Sequence, residues 1–67
     1  MIYSVNNEHR EAAEAPTVAD IVTQETGEDS PRGVAVAVDG SVVPASDWSM
    51  VIDDGARVDI LIAVQGG

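Results

Sequence analysis

The residues with the clearest chemical potential in this 67-residue chain are Gly66 and Gly67, which follow an apolar, strand-like segment. Glycine has no Cβ atom, so a Gly-Gly segment can thread a narrow slot in another protein. A carboxylate at Gly67 would then approach a nucleotide bound by that protein, and activation as an acyl adenylate would make it an electrophile. The chain would be the substrate, and the partner would supply the catalysis. Glycine tails that simply fray are also common, so the tail alone leaves both interpretations open.

The other candidate residues do not form a catalytic or metal-binding set. His9 has no nucleophile, carboxylate or metal-ligand partner at a useful spacing, and we expect it at the surface. Asp53 and Asp54 precede a turn glycine, and a calcium site would need further oxygen ligands that the local sequence lacks. Gly27 and Gly33 bracket an acidic, proline-containing loop, which does not fit a phosphate-binding turn. We therefore predict no catalytic residue, no metal site and no bound cofactor in this chain.

Composition excludes several classes of partner and chemistry. The chain has 3 basic and 12 acidic residues, a formal charge of −9, and no cysteine. Its basic residues Arg10, Arg32 and Arg57 are scattered, so they form no stripe that could neutralise nucleic-acid phosphates. The absence of cysteine excludes disulfides, thiolate zinc sites and a cysteine nucleophile. A surface of this charge favours association with a basic protein.

Hydropathy predicts a folded domain without a membrane-spanning segment. Apolar residues make up 45% of the chain, which is too many for a disordered acidic segment. No apolar run approaches the roughly 20 residues that cross a bilayer, and residues 1–8 do not resemble a secretory signal. We expect one domain over residues 1–67 and a cytoplasmic location.

Local patterns predict the elements of the first half of the chain. Residues 1–6 alternate as in a strand and lead into an Asn6-Asn7 turn. Residues 9–15 are compatible with a return strand or a polar loop, and we favour the strand. A helix begins after Thr17, which is placed to cap it, and ends at Gly27.

The pattern of the second half predicts three strands. Residues 34–38 place valines on one face and alanines on the other, and Asp39-Gly40 predicts a tight hairpin to residues 41–43. A short irregular or helical segment then carries Trp48, which we expect to cover the core. The last strand, residues 57–64, has Val58, Ile60, Ile62 and Val64 on one face. This order predicts an α+β domain with a mixed sheet and one main helix packed across one face.

Several segments together resemble the ThiS sulfur carriers of bacterial thiamine biosynthesis. The matching segments are Thr17-Val18-Ala19-Asp20, Val36-Ala37-Val38-Asp39-Gly40-Ser41-Val42-Val43-Pro44, Trp48, Asp54-Gly55 and Ala63-Val64-Gln65-Gly66-Gly67. They cover nearly the whole chain in order. The resemblance implies a ubiquitin-like β-grasp fold with residues 65–67 as a flexible, reactive Gly-Gly tail.

The same resemblance implies a function. Gly67 would be adenylated by a ThiF-type adenylyltransferase that uses ATP and magnesium, and then converted to a thiocarboxylate. A protein such as a cysteine desulfurase would donate the sulfur, and thiazole synthase would receive it. Gln65 and Gly66 would thread the tail into both partners. The chain would be a protein co-substrate and not an enzyme.

The outward-facing residues of the last strand predict a docking surface. Leu61 and Ala63, on the face opposite Ile60, would join Val43 in an apolar patch ringed by acids. Alternatively, the segment around Trp48 covers these residues.

Two alternative functions remain open. The chain would carry sulfur in another pathway, like the small subunit of molybdopterin synthase, or it would act as a non-covalent acidic binding module whose tail is incidental.

Overall fold

The computed structural model describes residues 1–28 and 32–63. Its elements, in chain order, are β1 (Ile2–Val5), β2 (Glu8–Glu11), α1 (Val18–Thr26), β3 (Val34–Val38), β4 (Ser41–Val43), a 3₁₀ helix (Ala45–Asp47) and β5 (Arg57–Ile62). The five strands form one sheet in the order β2-β1-β5-β3-β4. Strand β5 runs parallel to β1 and antiparallel to β3, while the β1–β2 and β3–β4 pairs are antiparallel. The predicted α+β architecture with a mixed sheet is confirmed.

Helix α1 has the predicted caps at both ends. The Thr17 hydroxyl accepts a hydrogen bond from the Asp20 N–H at 3.0 Å, and the Asp20 carboxylate accepts one from the Thr17 N–H at 3.0 Å. This capping box satisfies two of the N–H groups that a helix start leaves unpaired. At the other end, Gly27 adopts a φ of 77°, a left-handed conformation that glycine tolerates, and its N–H donates to the Thr23 carbonyl at 2.8 Å.

The core lies between α1 and one face of the sheet, which we call the inner face. Val18, Ile21 and Val22 of the helix are fully buried there. Trp48 is also buried, and its indole N–H donates to the Val43 carbonyl at 3.0 Å. Trp48 therefore covers the core as predicted, with its one polar atom paired.

The Asp39-Gly40 hairpin fixes which β4 residues face the core. Both turn residues have positive φ, 50° and 84°, as a two-residue type I′ turn requires. The resulting pairing places Val38 opposite Ser41, Ala37 opposite Val42, and Val36 opposite Val43. Val43 thus shares the inner face with Val36.

Two predicted strands, residues 9–15 and 57–64, extend too far along the chain. The second strand spans Glu8–Glu11 rather than residues 9–15, because β1 has only four residues for it to pair with. The chain from Ala12 onward instead crosses towards the start of α1. Strand β5 spans Arg57–Ile62, so Ala63 lies outside it, because the partner strand β3 begins at Val34, directly opposite Ile62. Val64 lies outside the described residues.

One ion pair ties the edge strand β2 to the helix. Arg10, opposite Tyr3 on the inner face, bonds the carboxylates of Glu8 and Glu25. These hydrogen bonds, first that of Glu8 and then that of Glu25, raise the pKa of the Arg10 guanidinium above its ordinary value. The pair fixes β2 against α1 on the side of the molecule away from the β3–β4 hairpin.

Candidate functional site

Strand β5 carries the chain to the predicted reactive tail from the centre of the sheet. After Ile62, the N–H of Ala63 donates to the Gly33 carbonyl at 2.7 Å. Ala63 is the last described residue, so Gln65, Gly66 and Gly67 lie outside the described part of the chain. Their role stays a prediction, but this hydrogen bond fixes the position of Ala63, from which the tail begins.

Two polar side chains from neighbouring turns hold β5 in position. The Asn6 side-chain oxygen accepts a hydrogen bond from the Ile60 N–H at 2.8 Å. The Asp39 carboxylate accepts one from the Arg57 N–H at 2.9 Å. Each extends the hydrogen bonding of β5 beyond the strand ladders. The sequence indicates turns at Asn6 and Asp39 but not these two bonds, because the group that each side chain contacts is distant in sequence.

An apolar depression lies on the outer face of the sheet, the face turned away from α1. It has a volume of about 90 Å³, and the side chains of Ala35, Ala37, Val42 and Leu61 contribute to its lining. Val42 and Leu61 are 77% and 74% exposed. Large aliphatic side chains this exposed, standing together on one face, are typical of a contact surface. We call these four residues the outer patch.

The predicted membership of this patch requires one correction. Val43 is buried on the inner face, so it cannot join Leu61, and Val42 takes its place. The two-residue hairpin causes this, because it sets Val42 opposite the outward-facing Ala37. Ala63 is exposed, directly after Ile62. The alternative in which Trp48 covers Leu61 is wrong, since Trp48 packs in the core beneath the other face.

The charges beside the outer patch have both signs. Asp59 lines the depression, and its carboxylate accepts a hydrogen bond from the Arg57 side chain at 3.1 Å. Asp39, in the adjoining hairpin turn, is exposed. Asp39 therefore makes the rim acidic at the hairpin, whereas the charges of Arg57 and Asp59 cancel each other. The chain as a whole has a formal charge of −9.

The remaining candidate residues occupy ordinary structural positions. His9 is exposed on β2, opposite Ser4 of β1. The Asp54 carboxylate accepts a hydrogen bond from the Ile2 N–H at 2.7 Å. Within residues 1–28 and 32–63, no group of three or more potential ligands is placed to hold a metal ion. No helix in the same ranges has the length and apolar character to span a membrane.

The five-stranded mixed sheet, with a single helix against its inner face and parallel strands β1 and β5 at its centre, defines a ubiquitin-like β-grasp domain. The model of the ThiS family matches residues 3–67, so the chain belongs to the ThiS family, the sulfur carriers that its motifs resemble.

One solved structure supports this assignment at the level of the fold. The crystal structure of a thiamine biosynthesis protein, ThiS, from Geobacter metallireducens superposes with a TM-score of 0.71. The two chains are 20% identical, and the match covers 100% of each. Comparison with curated proteins found no matching relative.

Proposed function

We propose that this chain carries sulfur for thiamine biosynthesis as a thiocarboxylate on Gly67. A ThiF-type adenylyltransferase, which binds ATP and magnesium itself, activates the Gly67 carboxylate. Thiazole synthase then accepts the sulfur. A sulfur donor protein such as a cysteine desulfurase supplies sulfur that derives from cysteine. The chain provides the acyl group and the docking surfaces, and its partners provide the catalysis and the cofactors.

The chemistry needs two steps, adenylyl transfer from ATP to the Gly67 carboxylate and then acyl transfer from the adenylate to sulfide. The Gly67 carboxylate attacks the α-phosphate of ATP, and pyrophosphate leaves. Sulfide at the acyl carbon of the resulting adenylate then displaces AMP and leaves a thiocarboxylate. The adenylate is required because a free carboxylate is a poor electrophile. Apart from the Gly67 carboxylate itself, neither step requires a nucleophile or base from this chain.

The observation that supports this proposal best is the position of Ala63, the last described residue before the tail. The hydrogen bond from Ala63 to Gly33 fixes the start of the tail at the end of a central strand. Residues 64–67 follow, and four residues reach at most about 14 Å. A tail of this length delivers Gly67 to a site in a partner that is docked on the domain. Membership of the ThiS family supports the same chemistry.

Intact mass spectrometry tests the proposal. The chain is incubated with ATP, a sulfide source and a ThiF-type enzyme, and then treated with a thiol-alkylating reagent. A gain of roughly 16 Da would be ambiguous by itself, because oxidation of Met1 or Met50 adds nearly the same mass. Alkylation removes the ambiguity, because the chain has no cysteine to compete with a thiocarboxylate.

The expected result is one alkyl group, mapped to Gly67 and dependent on ATP. A reaction without ATP is the control for direct reaction with sulfide. If an enzyme that labels its own carrier leaves this chain unlabelled, the proposal is wrong, and the acidic surface would then indicate a non-covalent binding module.

We further propose that the outer patch, together with Ala63, docks the activating enzyme. Leu61 lies on β5, Ala63 follows the last residue of that strand, and Val42 extends the apolar area across β3 to the edge strand β4. An apolar centre with acidic Asp39 at its rim fits an enzyme surface with an apolar centre and a basic rim.

Leu61→Asp should raise the KM of the activating enzyme for this chain about tenfold or more, because it places a charge at the centre of an apolar contact. The fold should persist, since Leu61 is 74% exposed. Initial rates of pyrophosphate release measure KM, and circular dichroism measures the fold. Met50→Asp is the matched control, because Met50 is an exposed apolar residue outside the patch. Equal KM values for the two variants would exclude this docking surface.

A further inference from the structure

A second apolar surface lies beside the tail, on the inner face of the sheet. Ile62 lies on the same face of β5 as the buried Val58 and Ile60, yet it is 57% exposed. Helix α1 ends at Thr26, so it does not cover this last position of β5. A groove of about 330 Å³ results, which we call the root groove. Its lining includes Thr26, Glu28, Arg32, Val34, Ile62 and Ala63.

We infer that the root groove is a second contact site for the enzyme that activates Gly67, and that it receives an apolar side chain from the entrance of that enzyme's active site. This inference rests on the proposed function of Gly67. It concerns the face of β5 opposite Leu61, so the enzyme would hold the end of the strand from both sides.

The length of the tail argues for this occupant. Only residues 64–67 separate Ala63 from the end that reacts, and they span at most about 14 Å when fully extended. The reacting phosphate must therefore lie within that distance of Ala63, which itself lines the groove. An active site that encloses the two terminal glycines brings its entrance to the root groove.

The chemistry of the groove defines what it receives. Its apolar surface comes from Ile62 and Val34, which pair directly across β5 and β3. Three charged residues of the described chain line it: Glu25 is paired with Arg10 of β2, while Glu28 and Arg32 are opposite in sign and both exposed. These two charges balance each other, so they attract neither a cation nor an anion strongly. Burial of Ile62 against an apolar side chain is the favourable contact that remains.

The test compares Ile62→Thr with Val51→Thr as substrates of the ThiF-type enzyme. Both substitutions replace an exposed β-branched apolar side chain, 57% exposed at Ile62 and 55% at Val51, by a β-branched polar one. Val51 pairs with Thr17, at the opposite end of α1 from the root groove. The two variants should therefore be equally stable by thermal denaturation.

We expect Ile62→Thr to raise KM by about tenfold relative to Val51→Thr, with kcat unchanged at saturation, because the contact contributes to docking and not to the chemical step. Ile62→Leu, which keeps the apolar volume, should restore KM to within about twofold of the wild-type value.

The outcomes separate the two proposals. Equal KM values for Ile62→Thr and Val51→Thr, with a wild-type chain that is labelled at Gly67, would overturn the root groove alone. A wild-type chain that takes no label at all would overturn the proposed function.

Discussion

Deletion of Gly67 is expected to reduce thiocarboxylate formation by about a hundredfold or more. The deletion withdraws the terminal carboxylate by about 3.5 Å, whereas a misplacement of about 1 Å at a reacting centre can already cost about a hundredfold in rate. The tail cannot lengthen from its base to compensate, because the Ala63 N–H is bonded to the Gly33 carbonyl. Alkylation followed by intact mass measures the loss.

The control for this deletion is Gly67→Ala, which keeps the carboxylate and the chain length and adds one Cβ atom. If the partner's slot requires a narrow chain, this variant should react more slowly than wild type but faster than the deletion. Both variants should unfold at the wild-type temperature, because both changes lie beyond Ala63, whose N–H makes the last described hydrogen bond of the domain. Normal labelling of the deleted chain would contradict the assignment of Gly67.

Replacement of Ile21 by alanine is expected to cost about 2–5 kcal/mol in the free energy of unfolding. Ile21 is fully buried where α1 packs on the sheet, and the smaller side chain leaves a cavity there. A domain of 67 residues has about 3–10 kcal/mol of stability in total. The variant should therefore be partly unfolded at moderate temperature.

Urea denaturation followed by tryptophan fluorescence measures this effect, since Trp48 is the one tryptophan of the chain and is buried in the same core. Val42→Ala is the matched control, because it also shortens an aliphatic side chain, at a position that is 77% exposed. Its free energy of unfolding should change by about 0.5 kcal/mol or less. A loss below about 1 kcal/mol for Ile21→Ala would show that α1 contributes little to the packing of the core.

The sequence by itself determined the elements whose signals are local. Thr17 and Asp20 fix the start of α1 and Gly27 fixes its end, because caps satisfy the unpaired groups of the helix with residues a few positions away. Asp39-Gly40 fixes the β3–β4 hairpin, because few other residue pairs adopt positive φ twice in succession. The family motifs depend on the same short segments, so ThiS membership was also predictable.

The candidate site was only partly predictable. The exposed position of Leu61 follows from the alternation along β5, and the Gly-Gly tail can be read directly from the chain. The register of the hairpin was also available from its two-residue turn, and it would have assigned Val42 rather than Val43 to the outer patch.

The exposure of Ile62 and the anchoring of β5 were decided by the tertiary structure alone. Alternation predicts that Ile62 is buried with Val58 and Ile60, but burial requires a covering element, and α1 ends before it reaches this position. The contact from Asn6 to Ile60 likewise joins residues far apart in sequence. Local patterns specify which way a side chain points, whereas the lengths and relative placement of packed elements decide what covers it.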